Sequence, residues 1–146
     1  LAVDNPVEII EHFDFTGIEP FTLVLVTWHS ARMAYELVWT GSDKFFKKLK
    51  NEPHIWSSST LYTTDIKQQR AAWFQEWLND NEHFTPQAIL AFHQDTSKGN
   101  SESALKMKRN TVETISTSLV IKEAKKIGFN YVDYVHNAKT CATILI

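Results

Sequence analysis

A chain of 146 residues is of ordinary single-domain size and long enough to bury a core, and with 43% hydrophobic, 22% charged and 12% aromatic residues it is not intrinsically disordered. A formal charge of -2 with both signs interspersed, and a densest basic run confined to Lys44–Lys50, gives no electrostatic basis for binding nucleic acid or an acidic membrane surface. The longest apolar runs fall far short of the roughly 18 residues that a membrane-spanning helix needs.

The single cysteine, Cys141, admits neither an intramolecular disulfide nor a cysteine-based metal cluster. It favours a reducing compartment, and a cytoplasmic location is expected. The chain opens on Leu1, so its natural start is expected upstream or has been removed, and a signal peptide ahead of it stays open.

The first expected helix runs from Pro6 to near Phe13, with Asp4 or Asn5 as cap, Pro6 at the first helical position and Val7, Ile10 and Phe13 on one face. Thr16 to Pro20 reads as a loop. Phe21 to Trp28 is β-branched and nearly all apolar, as in a strand covered on both faces. Met33 to Thr40 is a second strand, joined to the first through a hairpin at His29–Arg32, and Gly41-Ser42-Asp43 turns the chain after it. Lys44 to Lys50 fits either a short helix or an edge strand, and Pro53 ends it.

A longer helix is expected from Thr64 or Asp65 through Leu78, with Asp65 capping and Gln68 completing a variant of the capping box. Another follows from Pro86 to Phe92 or His93 behind a Thr85 cap, with Ile89, Leu90 and Phe92 for burial. Gln94 to Asn110 is the longest polar stretch and reads as a surface loop. Thr111 to Ile121 is Thr-rich and extended, as in a strand with one hydroxyl-lined face. Lys122 to Gly128 turns the chain, and Phe129–Val135 and Cys141–Ile146 are the last strands. No internal repeat is present.

Helices set between hairpin-connected strands predict an α+β, layered domain with a mostly antiparallel sheet, because parallel strands each need a crossover helix. The two middle helices cover one sheet face. The doubly apolar strand at Phe21–Trp28 needs a second cover, which predicts that residues 1–146 are a single domain or the C-terminal part of one. A second copy of the chain would also provide that cover, so a homodimer is expected.

The densest combination of aromatic and polar residues is His54 to Leu78. His-Ile-Trp-Ser-Ser-Ser-Thr-Leu-Tyr at 54–62, followed by Arg70 and by Trp-Phe-Gln-Glu-Trp-Leu at 73–78, resembles the bacterial NRDE family, related to the transport and Golgi organisation proteins of eukaryotes. Phe-Thr-Gly-Ile-Glu-Pro-Phe-Thr-Leu at 15–23 and Val-Glu-Thr-Ile-Ser-Thr at 112–117 are similar to that family in the same order, while the part after Ile121 resembles it only loosely. The resemblance implies the four-layer αββα architecture of N-terminal nucleophile hydrolases, in which an N-terminal cysteine attacks an amide. Neither that cysteine nor the family's Asn-Arg-Asp-Glu motif is present, so the chain resembles the C-terminal portion of such a protein and Leu1 cannot be the nucleophile.

Five residues are candidates for substrate binding: His54, Ser57, Ser58, Ser59 and Arg70. Arg70 falls in the middle of the apolar helical stripe formed by Ile66, Trp73, Phe74 and Trp77. It therefore either pairs structurally, with a carboxylate or with backbone carbonyls, or holds an anionic ligand in a bidentate grip. The three serines precede a helix, where hydroxyls form turns and caps or donate to a substrate near the helix N-terminus. Use of one as a nucleophile with His54 as base lacks the Gly-x-Ser-x-Gly elbow.

The other histidines, His12, His29, His83, His93 and His136, have no metal-ligand spacing, so no metal and no resident cofactor are expected. Asp133 and His136, three apart on an expected strand, fall on opposite faces, and Cys141 reads as a buried structural thiol. The first functional expectation is part of an amide-hydrolysing N-terminal nucleophile protein, its nucleophile upstream of Leu1 and its small-molecule substrate undefined. The alternative is a non-catalytic binding module for a hydrophobic carboxylate, lipid or haem. A third is a structural domain whose aromatics pack only internally.

Overall fold

The computed structural model describes residues 6–28, 31–58 and 61–146. The chain forms two compact units, Leu1–Tyr62 and Thr63–Ile146. The class is α+β, and each unit carries one three-stranded antiparallel sheet that does not close.

In the first unit α1 (Pro6–His12) precedes β1 (Phe21–Thr27), β2 (Met33–Trp39) and β3 (Lys44–Lys48), in the sheet order β1-β2-β3. The expected hairpin forms, with Phe21 paired to Trp39 and Thr27 to Met33, while its tip at His29 and Ser30 and the α1 cap residues Asp4 and Asn5 lie outside the described residues. Lys44–Lys48 is an edge strand, which decides between the two states that its composition allows: Phe46 pairs with Leu37 and turns to the same face.

Strand alternation puts Phe21, Leu25, Leu37, Trp39 and Phe46 on one face, where Ile10 of α1 and Phe15 pack against them. Leu37 is 1% exposed and anchors this core. Trp39 Nε1 donates to the Ile18 carbonyl at 2.8 Å, and Lys44 Nζ donates to the Ile10 and Glu11 carbonyls at 3.0 and 2.6 Å, so the loop and the end of α1 are held onto the sheet.

The two-sided cover expected for β1 is not present within its unit. Leu23, Val24 and Val26 are 43%, 38% and 41% exposed. The short α1 and Phe15 reach only part of one face, and the other face bears Val24, Val26 and Phe45 with little over them.

The second unit is built from α2 (Thr64–Asp80), α3 (Pro86–Gln94), β4 (Ser116–Glu123), β5 (Lys126–Asp133) and β6 (Ala138–Leu145), with sheet order β4-β5-β6. The cap of α2 is Thr63, whose Oγ1 accepts from Ile66 N, and not Asp65. Asp65 sits in the first turn instead, where its charge opposes the positive end of the helix dipole. Thr85 caps α3 as expected, accepting from Ala88 N with Pro86 at the helix start. Phe74 and Trp77 of α2 meet Phe92 of α3 at ring separations of 5.6 and 5.1 Å, and Phe84 joins Trp77 at 5.5 Å.

The strands of this sheet are shifted from their expected positions. β4 begins at Ser116, because Thr111–Ile115 belongs to the preceding loop, where Met107 N donates to Thr114 Oγ1 at 3.1 Å. Only Ala124 and Lys125 turn the chain from β4 to β5, with Ala124 at φ 41°, and Gly128 lies inside β5. β6 starts at Ala138, after Asn137 at φ 51°, the left-handed conformation that Asn tolerates well. Two tight hairpins thus lengthen β5 and β6 at the expense of the expected loops, while β4 is shorter than expected because it loses Thr111–Ile115.

Candidate functional site

Pro53 and the residues after it carry the chain across β2 and β1. Trp56 Nε1 donates to Glu36 Oε1 at 2.6 Å, and Lys47 Nζ lies 2.6 Å from Glu36 Oε2. Partial burial pushes the Glu36 carboxyl up, but the hydrogen bonds from Lys47 and Trp56 outweigh it and hold the group below its ordinary value. His54 lies tilted against Trp56 with ring centroids 5.6 Å apart, and its Nε2 donates to the Lys50 carbonyl at 3.0 Å. That bond commits Nε2 to the backbone.

Next to this cluster Ser57 and Ser58, both half-buried, line an open pocket of about 290 Å³ with Pro20, Phe21, Thr22, Val24 and Trp56. Ser58 Oγ also accepts from Leu61 N at 3.3 Å, a turn-forming bond. The pocket has aromatic and aliphatic walls and a hydroxyl rim, suited to a small molecule with an apolar body and a polar group. Ser59 lies outside the described residues.

Arg70 belongs to the second unit and is 6% exposed, the buried residue of α2. Its Nε donates to the Ser103 carbonyl at 3.0 Å and its Nη2 to the Ala104 carbonyl. The guanidinium fork thus bridges two consecutive carbonyls, the structural form of pairing that its place in the apolar stripe allows. These partners correct the reading of Gln94–Asn110 as a surface loop. Although irregular, the segment buries Ser103, Ala104 and Met107, because Arg70 draws its carbonyls inward and Asn100 closes a tight turn with the Ser103 and Ala104 amides.

Asp133 and His136 also depart from expectation. Asp133 ends β5 and His136 lies in the turn that follows, so the two meet, with Nδ1 2.9 Å from Oδ2. The His136 backbone N–H and ring hold the Asp133 carboxyl below its usual range. His136 is exposed and Asp133 half-buried, and the pair stabilises the turn. Cys141 is exposed, not buried, since β6 is an edge strand and α3 packs toward β4.

His93 carries the clearest pH signal. Burial lowers its pKa, and the nearby Arg70 charge lowers it further. A depressed folded-state value means that the unfolded chain binds the proton more readily, so stability falls as the pH drops below the unfolded pKa of about 6.5. His93→Gln is expected to flatten the decline of chemical stability between pH 7 and 5.5. The change should be small because His93 as a residue is exposed at the surface, where water screens it. Urea midpoints at the two pH values check this.

Glu36 is the site residue that sequence reasoning passed over. Its signal was present: a lone carboxylate inside the apolar strand Met-Ala-Tyr-Glu-Leu-Val-Trp. Among the described residues, no group of three or more His, Cys, Asp or Glu is placed to hold a metal ion. No described helix is long and apolar enough to cross a membrane. The chain matches no family model, no curated protein and no solved structure.

Proposed function

We propose that this chain is an NRDE-like protein whose Ser57–Ser58 pocket binds a small amide- or carboxylate-bearing molecule. In this reading the attack on an amide falls to a cysteine of the N-terminal nucleophile type outside these residues. The observation that carries the proposal is the pocket itself, where a hydroxyl rim stands beside apolar walls. Its volume equals about ten water-sized groups, which suits a short acyl or amino-acid amide better than a long lipid or a porphyrin. The near residues fit binding better than attack, since His54 is bonded to a carbonyl and Ser58 caps a turn. A layered αββα arrangement needs sheets with one helix-covered and one bare apolar face. Each unit taken by itself has one sheet face packed against a helix; the opposite face leaves Val26 and Phe45 exposed in the first, beside the segment at 53–58 that crosses it, and Val120, Phe129 and Ile144 exposed in the second.

Ligand-observed NMR of the whole chain with short N-acetylated amino-acid amides and the matching carboxylates tests this reading. Ser57→Val, which leaves the Ser58 cap intact, should weaken binding by about tenfold, the value of one hydrogen bond. Unchanged affinity in that variant, or no binding by any member of the set, would count against the pocket. Hydrolysis of the amides by these residues alone would refute the proposed division between binding and attack. A purely non-catalytic role is the second reading, favoured by the apolar walls of Phe21, Val24 and Trp56. It predicts binding of the carboxylates without amide turnover even in a longer protein that begins with the cysteine.

A further inference from the structure

We infer that the pocket between α3 and the second sheet is a binding site for a medium-chain aliphatic carboxylate, with Lys139 as its counter-ion. The site is separate from the Ser57–Ser58 pocket and does not depend on how that one functions. The pairing of Leu119 with Asn130, and of Asn130 with Cys141, sets these three side chains in one row on one sheet face. Val132 and Lys139, also paired, stand beside them on the same face. Leu90 of α3 closes over the row from above, and together these residues line a pocket of about 260 Å³.

The lining is ordered by polarity. Leu119, Ile121 and Val132 make an aliphatic floor beneath Leu90. Toward β6 that floor gives way to the Lys139 ammonium and the Cys141 thiol, both exposed because α3 packs toward β4. No Asp or Glu lines the pocket, and among the described residues Lys139 makes no ion pair.

An apolar cleft that ends in one cation fits a ligand with a hydrocarbon tail and one negative head group. Burying the tail is the main attraction, at about 0.8 kcal/mol per methylene, and the charge sets the direction in which the molecule enters. A single ammonium matches a monocarboxylate better than a multiply charged phosphate, which is usually held by several cations or a backbone cradle. The volume corresponds to about nine water-sized groups, comparable to octanoate. Gln87 and Asn130 supply amide donors at the wall for a second carboxylate oxygen.

Cys141 gives a direct readout because it is the only cysteine in the chain and lines the mouth of the pocket. The rate of its alkylation by iodoacetamide is measured on the whole chain with increasing octanoate, kept below the concentration at which micelles form. Occupancy should slow the reaction saturably, reaching about tenfold at roughly ten times the dissociation constant. Octanol, with the same tail and no charge, should protect less. Lys139→Met should bring octanoate down to the level of octanol, and Lys139→Arg should restore the difference. Lys139 is exposed, so neither change threatens folding. Alkylation at one rate with and without octanoate overturns the inference, as does equal protection in the wild-type and Lys139→Met proteins.

Discussion

Arg70→Leu is expected to destabilise the Thr63–Ile146 unit by about 2–4 kcal/mol, since it leaves two buried carbonyls without a donor and each costs roughly 1–3 kcal/mol. The carbonyls are those of Ser103 and Ala104, in a segment whose burial depends on their being satisfied. Leucine keeps much of the apolar stem, so the loss reports the hydrogen bonds more than the packing. Arg70→Lys should fall between, because an ammonium is a point donor and cannot span two consecutive carbonyls as the guanidinium fork does. Urea denaturation of the whole chain measures the change. Hydrogen exchange should place the loosening at residues 99–107. A loss below about 0.5 kcal/mol, the range of ordinary surface substitutions, would show that the loop does not need the arginine and would return Arg70 to consideration as an anion-binding group.

Gly99→Ala is expected to be as damaging, by about 2–4 kcal/mol, through two independent effects. Gly99 has φ 81°, where an L-residue costs about 1–2 kcal/mol. A Cβ there would also lie 2.6 Å from both Ser103 Oγ and Trp73 Cη2, an overpacking that typically costs about 1–3 kcal/mol. Trp73 is on α2, one turn beyond Arg70, so the same helix presses on this loop with an indole and holds it with a guanidinium. The two substitutions act on one structure and should be less than additive in combination. A thermal melt of the double variant measures that coupling. Full additivity would show that Gly99 and Arg70 support separate parts of the loop.

Much of the site's local chemistry was legible in the chain. The apolar positions around Arg70 recur at helical spacing, and that alone placed a charged group in a buried stripe and demanded a partner for it. Thr85-Pro86 announced a helix start, and the cap bond to Ala88 is the local consequence. Thr63 was harder to find, since Thr63, Thr64 and Asp65 are all competent caps and only the observed backbone shows which hydroxyl meets Ile66 N. The burial of the loop after α3 is hidden from the sequence for a related reason. Its composition is polar, and nothing local in Ser103-Ala104 shows that an arginine 33 positions earlier will bind its carbonyls.

The same boundary separates what the sequence by itself determined from what only the tertiary structure decided. Periodicity, capping residues and turn residues determined the helices, the first hairpin and the α+β class, because these depend on neighbours within a turn or a pleat of one another. Strand limits in the second sheet, the partners of Arg70, the meeting of Asp133 with His136 and the exposure of Cys141 depend on register and on which face a helix covers. A shift of one residue in a strand reverses every side chain, and a carbonyl's donor can come from any distance along the chain. Those outcomes arise from long-range packing, and for that reason they became visible only in the fold.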